Sequence, residues 1–229
     1  MASIEGKLQQ VRQRIALACA AAQRPVQSVT LLAVSKTFAA DTLREAHAAG
    51  QRAFGENYVQ EALAKIAALA DLRPAIEWHL IGPLQSNKTR EVAAAFDWVH
   101  SIDRLKVAER LSARRPAGLP PLQVCLQVNV SGEASKSGVA PAELPALAHA
   151  VAALPQLRLR GLMSIPEPAA DFTAQRAPHR QLRGLFEALR REGLALDTLS
   201  MGMSADLEAA IAEGATIVRV GTAIFGGRS

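Results

Sequence analysis

The residues with the most chemical capacity stand far apart in the chain. Lys36 closes the apolar run Leu31-Leu32-Ala33-Val34-Ser35 and precedes Thr37, so a strand delivers a primary amine to its C-terminal end. A lysine at such a place ordinarily marks the strand end and reaches for solvent. The segment Thr216-Ile217-Val218-Arg219-Val220-Gly221-Thr222 argues for more, because it sets an arginine among β-branched residues. With Val218 and Val220 facing outward, alternation turns Arg219 inward, where an unpaired guanidinium is costly and needs an acceptor. Gly221 and Thr222 follow at once, and Ser200-Met201-Gly202-Met203-Ser204 leads into a short helical pattern. Small residues with free backbone N–H groups are suited to cradling a phosphate.

The elements that must position these groups alternate in kind. Strand patterns run over Val29 to Ser35, Arg52 to Phe54, Ile76 to Ile81, Trp98 to Ser101, Gln123 to Val130, Leu157 to Ile165, Thr198 to Met201 and Thr216 to Val220. Helical patterns lie between them at Asp41 to Ala49, Tyr58 to Leu69, Lys88 to Ala95, Arg104 to Arg114, Ala142 to Leu154, Ala174 to Glu192 and Ala205 to Glu213. Asp41 and Asp103 suit N-caps, Pro141 a first helical turn, and Gly50, Gly193 and Gly214 C-terminal caps. Ahead of the first strand, Ile4, Leu8, Val11, Ile15, Ala18 and Ala22 form one helical face, so this stretch reads as an amphipathic helix rather than a signal peptide. Repeated strand and helix demand parallel strands joined by crossovers, and eight strands predict a single (β/α)8 TIM barrel over residues 1–229 with an extra N-terminal helix. An open doubly wound sheet is the alternative, weakened because no G-x-G-x-x-G follows the first strand.

Composition narrows the field. The chain has 229 residues, 49% hydrophobic and 21% charged, which suits a soluble globular protein and excludes a disordered one. Cys19 and Cys125 lack ligand spacing, which excludes a zinc ribbon or disulfide framework and fits the cytoplasm. No apolar run reaches membrane-spanning length. The net charge of +5 comes from scattered arginines with few aromatics between them, so a solvated basic surface is expected and no nucleic-acid partner.

In a barrel of this kind the site lies at the C-terminal strand ends, where the first, seventh and eighth strands are neighbours. One ligand uses all three features: pyridoxal 5′-phosphate (PLP), its aldehyde on Lys36, its pyridine nitrogen facing Arg219, its phosphate in the cradle. Asn57 and His79, closing the second and third strands, face the same mouth by position. Asn57 is also a good turn residue, and His79 also reads as a strand-end histidine. The loop Asn129 to Gly138, with Glu133 and Lys136, reads as a lid or partner contact.

Five segments resemble the YggS/PROSC family of pyridoxal phosphate homeostasis proteins. They are Ala33-Val34-Ser35-Lys36-Thr37, Phe54 to Glu61 (FGENYVQE), Trp78 to Lys88 (WHLIGPLQSNK), Ser200 to Asp206 (SMGMSAD) and Val218 to Gly226 (VRVGTAIFG). The resemblance implies a barrel like the N-terminal domain of bacterial alanine racemase, with Lys36 as the aldimine lysine and Arg219 at the ring nitrogen. It also places Ser200, Ser204, Gly221 and Thr222 around the phosphate.

An arginine at the ring nitrogen donates and takes up no proton, so the ring is a poorer electron sink than one paired with Asp. Racemisation needs a second base, and Tyr58, the only tyrosine, opens a helix. The expectation is therefore a carrier that serves PLP homeostasis and delivery to PLP-dependent apoenzymes, monomeric by the resemblance, with a weak amino-acid racemase as the alternative.

Overall fold

A run of parallel strands keeps two open edges unless its first and last members pair. In the computed structural model, which describes residues 3–132 and 137–227, they do pair. The strands are β1 (Thr30–Val34), β2 (Ala53–Glu56), β3 (Glu77–Leu80), β4 (Trp98–Ile102), β5 (Leu122–Gln127), β6 (Leu157–Met163), β7 (Thr198–Ser200) and β8 (Ile217–Val220). They join in sequence order into a closed parallel barrel, its seam formed by Thr30 to Ala33 of β1 against Ile217 to Val220 of β8. Closure settles the choice between a barrel and an open sheet.

The helices are α1 (Ile4–Ala21), α2 (Ala40–Ala48), α3 (Val59–Ala68), α4 (Thr89–Ala95), α5 (Leu105–Arg114), α6 (Leu144–Ala152), α7 (Phe172–Arg191), α8 (Leu207–Ala212) and α9 (Thr222–Phe225). None of the described helices is long and apolar enough to cross a membrane. Alternation along the strands sends Phe54, Trp78, Leu80, Val124, Leu126, Val218 and Val220 outward into the main core beneath the helices. Inside the barrel, Leu32, Ala53, Ile81 and Ile217 form one small apolar cluster and Trp98, Cys125 and Met163 another.

Helix ends depart from the sequence reading at their starts. Neither Asp41 nor Asp103 caps a helix: Ala39 and Arg104 occupy the N-cap positions of α2 and α5, with no side-chain bond. Pro141 lies in a turn, and α6 begins three residues later with Pro145 in its first turn. The side-chain caps that do form are Ser3, whose Oγ accepts from the Gly6 N–H at 3.1 Å, and Asp171, which accepts from Ala174 at 2.9 Å. C-termini follow expectation, since Gly50, Gly193 and Gly214 all take positive φ directly after α2, α7 and α8. Three arginines of α7 share one carboxylate. Arg176, Arg180 and Arg183 converge on Glu213, which is fully buried, at 2.6, 3.1 and 3.0 Å.

Gly161 of β6 pairs with Thr198 where the β5–β6 register shifts, and a Cβ there would collide with the Thr198 carbonyl. Gly161→Ala is expected to lower stability by about 3 kcal/mol through strand separation. Gly184, exposed within α7 with open space around it, is the contrasting case. Gly184→Ala is expected to raise stability by about 0.5–1 kcal/mol. Urea denaturation of the two variants checks both signs.

Candidate functional site at the barrel mouth

Beyond Val34 the chain crosses the barrel rim through Ser35, Lys36 and Thr37. Thr37 takes φ 69°, a left-handed conformation that is unfavourable for a β-branched residue. Its N–H is held by the Glu61 carboxylate. Glu61 also accepts from Lys65 Nζ at 2.6 Å, and Lys65 donates to Glu56 at 2.8 and 3.0 Å and to the Ser35 carbonyl at 2.7 Å. Ser35 Oγ completes the cluster with a 2.6 Å bond to Glu56. Burial pushes the Glu56 carboxyl up against the opposing pull of Lys65. Lys65 is thereby saturated by two carboxylates, whereas half-buried Lys36 has no hydrogen-bond or ion-pair partner among the described residues.

Lys36 lines a cavity of about 400 Å³ whose floor is Arg219. Arg219 donates from Nη1 to Ser200 Oγ at 2.9 Å and from Nη2 to the Ser164 carbonyl at 2.8 Å. Its Nε–H and the second hydrogen of each Nη remain unassigned. Burial pulls its guanidinium down to about 10, so it stays a cation and a pure donor at neutral pH. Asn57, Ile81, Ile165 and Met203 form the walls, and the Asn57 Oδ1 is buried without a partner.

The last wall is built by the segments after β7 and β8, with Ser204, Ala205, Gly221 and Thr222 on the cavity. Asp206 folds the first of these into a turn, accepting from the Met203 N–H at 2.7 Å and bonding His179 Nε2 at 2.9 Å. The backbone N–H groups of Ser204, Ala205, Thr222 and Ala223 find no acceptor among the described residues. Gly221 is needed for closeness: a Cβ there would sit 3.0 Å from the Val34 carbonyl across the seam. From outside the barrel, Arg14 of α1 donates to the Ser204 carbonyl at 3.0 Å and pairs with Glu208 at 2.8 Å, clamping this loop to the first helix.

Six of the eight residues singled out in the sequence therefore meet at one cavity: Lys36, Asn57, Ser204, Arg219, Gly221 and Thr222. His79 and Ser200 do not line it, and their expected position is corrected. Inward-facing residues on a strand recur every second position, so His79 lies one layer beneath Ile81, and Ser200 lies beneath the loop that follows it. Both are buried in the barrel interior, Ser200 against Arg219 and His100, His79 against His100 and Glu77. Glu133 and Lys136, the charged residues of the expected lid, lie outside the described residues. Tyr58 is exposed and faces a neighbouring cleft rather than the cavity. Sequence reasoning missed the Glu56, Glu61 and Lys65 cluster, although Glu61 and Lys65 are four apart on one helix, and it missed His100 and Ser164. Larger clefts of about 520 Å³ on the N-terminal face and about 650 Å³ between α1 and α7 contain no lysine.

Residues 7–229 match the model of the alanine racemase N-terminal domain family. The pyridoxal phosphate homeostasis protein of Pseudomonas aeruginosa is 64% identical over 228 residues, covering 100% of this chain and 97% of its relative. That of Escherichia coli K12 is 55% identical over 229 residues, covering 100% and 98%. Among solved structures, PipY of Synechococcus elongatus PCC7942, with PLP bound, superposes with a TM-score of 0.86 at 43% identity, covering 98% of this chain and all of PipY. Alanine racemase of Corynebacterium glutamicum shares the fold alone, with a TM-score of 0.68 at 18% identity over 96% of this chain and 62% of the racemase. With full-length identity of this degree and a matching barrel, the chain belongs to the family of pyridoxal phosphate homeostasis proteins.

Proposed function

We propose that this protein binds PLP in the mouth cavity and serves PLP homeostasis, holding the cofactor for delivery to PLP-dependent apoenzymes in the cytoplasm. The observation that carries the reading is the pairing, on one cavity, of an amine without a partner and a guanidinium with spare donors, Lys36 and Arg219. When bound, PLP supplies an aldehyde to react with the amine and a ring able to delocalise charge. Arg219 would donate toward the ring nitrogen and, with no lone pair to accept from a protonated nitrogen, would keep it unprotonated. Ser204 and Thr222, with the free N–H groups around them and Gly221 between strand and helix, hold the phosphate. Asn57 orients the face of the cofactor nearest Lys36.

Apart from Lys36 and Arg219, no titratable side chain lines the cavity among the described residues. A racemase needs a second base opposite the lysine, so this lining favours a carrier.

Purified protein is expected to show a yellow PLP absorption band that Lys36→Ala abolishes; a band that survives the substitution overturns the assignment. Ser204→Ala should weaken PLP binding about tenfold, from about 1.5 kcal/mol for a hydrogen bond to a charged group, measured by fluorescence titration. Transfer is tested by mixing loaded protein with a PLP-dependent apoenzyme, whose activity should recover faster than with the cofactor sequestered by a nonspecific carrier. Incorporation of solvent deuterium at the α-carbon of alanine at a useful turnover would instead establish racemase chemistry. Lys65→Met leaves the Glu56 carboxylate buried without its cation and should cost about 3–5 kcal/mol in a urea melt.

A further inference from the structure

The interior of an eight-stranded barrel is ordinarily filled by branched apolar side chains. Here a file of polar groups crosses it from the N-terminal face to the cavity floor. Glu77 begins β3 on that face, half exposed, and its Oε1 accepts from Trp98 Nε1 at 2.9 Å. His79 Nε2 lies 3.1 Å from Glu77 Oε2, and His79 Nδ1 lies 2.9 Å from His100 Nε2. His100 Nδ1 lies 2.8 Å from Ser200 Oγ, which accepts from Arg219 Nη1 at 2.9 Å. The four residues from His79 to Arg219 are at most 3% exposed.

The two ends give this file a direction. Arg219 can only donate. Glu77, held below the usual carboxyl range chiefly by its bond from His79, is ionised and can only accept. His79 Nε2 therefore carries a hydrogen. Burial, chiefly, pushes the His100 imidazole well below its usual range and keeps it neutral. With one hydrogen on each ring, one arrangement satisfies every atom of the file. Arg219 donates to Ser200, the Ser200 hydroxyl to His100 Nδ1, His100 Nε2–H to His79 Nδ1, and His79 Nε2–H to Glu77. The His79 ring is fixed by stacking on Trp98, centroids 5.3 Å apart, and the Arg160 guanidinium sits 4.9 Å from the centre of the same indole.

We propose that Glu77, His79, His100 and Ser200 are positioning residues, a one-way chain of hydrogen bonds that lets a carboxylate on the N-terminal face fix Arg219 beneath the cofactor cavity. The proposal rests on the PLP-binding reading for its consequence at the cavity. Glu77→Gln should reverse the chain. Its amide oxygen still accepts from Trp98, but its N–H₂ now meets His79 and forces the Nδ1–H form, and His100 follows. Ser200 then receives donors from both His100 and Arg219, and its own buried proton loses its acceptor.

The test is ¹⁵N NMR of histidine-labelled protein free of PLP, the His79 and His100 signals assigned by their loss in single His→Gln variants. Both rings should be Nε2–H in the wild type and Nδ1–H in Glu77→Gln. In parallel, Glu77→Gln should weaken PLP binding at least fivefold and Glu77→Asp should restore most of it. Ser200→Ala, which cuts the chain beside Arg219 and leaves Glu77 and His79 in place, should weaken PLP to a similar extent should Glu77→Gln fail to fold. A wild-type ring found as Nδ1–H or imidazolium overturns the proposal, as does PLP affinity within twofold of wild type in whichever of the two variants folds. Wild-type protein that binds no PLP refutes the functional reading, while the tautomers still decide the chain.

Discussion

A guanidinium shut inside a barrel, with no carboxylate in direct contact among the described residues, is the constraint around which this molecule is arranged. Asp206 acts on its charge from beyond contact distance, while its direct hydrogen bonds go to dipoles, the Ser164 carbonyl and the Ser200 hydroxyl. Dipoles satisfy part of its donor set and leave the rest directed at the cavity. A carboxylate in their place would satisfy the charge more fully and silence the site. The main chain of β8 is fixed in the same region, since the Arg219 N–H donates to the Gly202 carbonyl at 2.9 Å and so ties the strand to the loop after β7.

The two lysines near the rim illustrate a division of labour. Lys65 satisfies Glu56, Glu61 and the Ser35 carbonyl at once, which braces the end of β1 against β2 and α3. That bracing holds Thr37 in a conformation its side chain disfavours and leaves the preceding residue projecting over the cavity. One lysine is spent on structure so that its neighbour can remain chemically available. On the opposite wall Arg14 does comparable service, because α1 lies outside the barrel yet grips the loop that carries Ser204.

The architecture and the composition of the mouth were legible in the sequence because both rest on periodicity. Strand alternation alone turned Arg219 inward, and strand ends alone gathered Lys36, Asn57 and the glycine-containing loops. Depth was harder to read. His79 and Ile81 share a face, and only the length by which the chain overshoots β3 decides which of them reaches the mouth. Partners across the barrel were illegible, since His100 and Ser200 are joined only by closure. Capping also misled: Asp41 and Asp103 have the right side chains, but Asp41 lies two residues past the α2 N-cap and Asp103 one residue before that of α5.

The seam between β1 and β8 has a bearing on biosynthesis. The amine follows the first strand to be made and the guanidinium lies on the last, with the loops after β7 and β8 that line the cavity also late in the chain. A nascent polypeptide on the ribosome thus exposes Lys36 long before it owns a pocket, and the cavity must await completion of the ring.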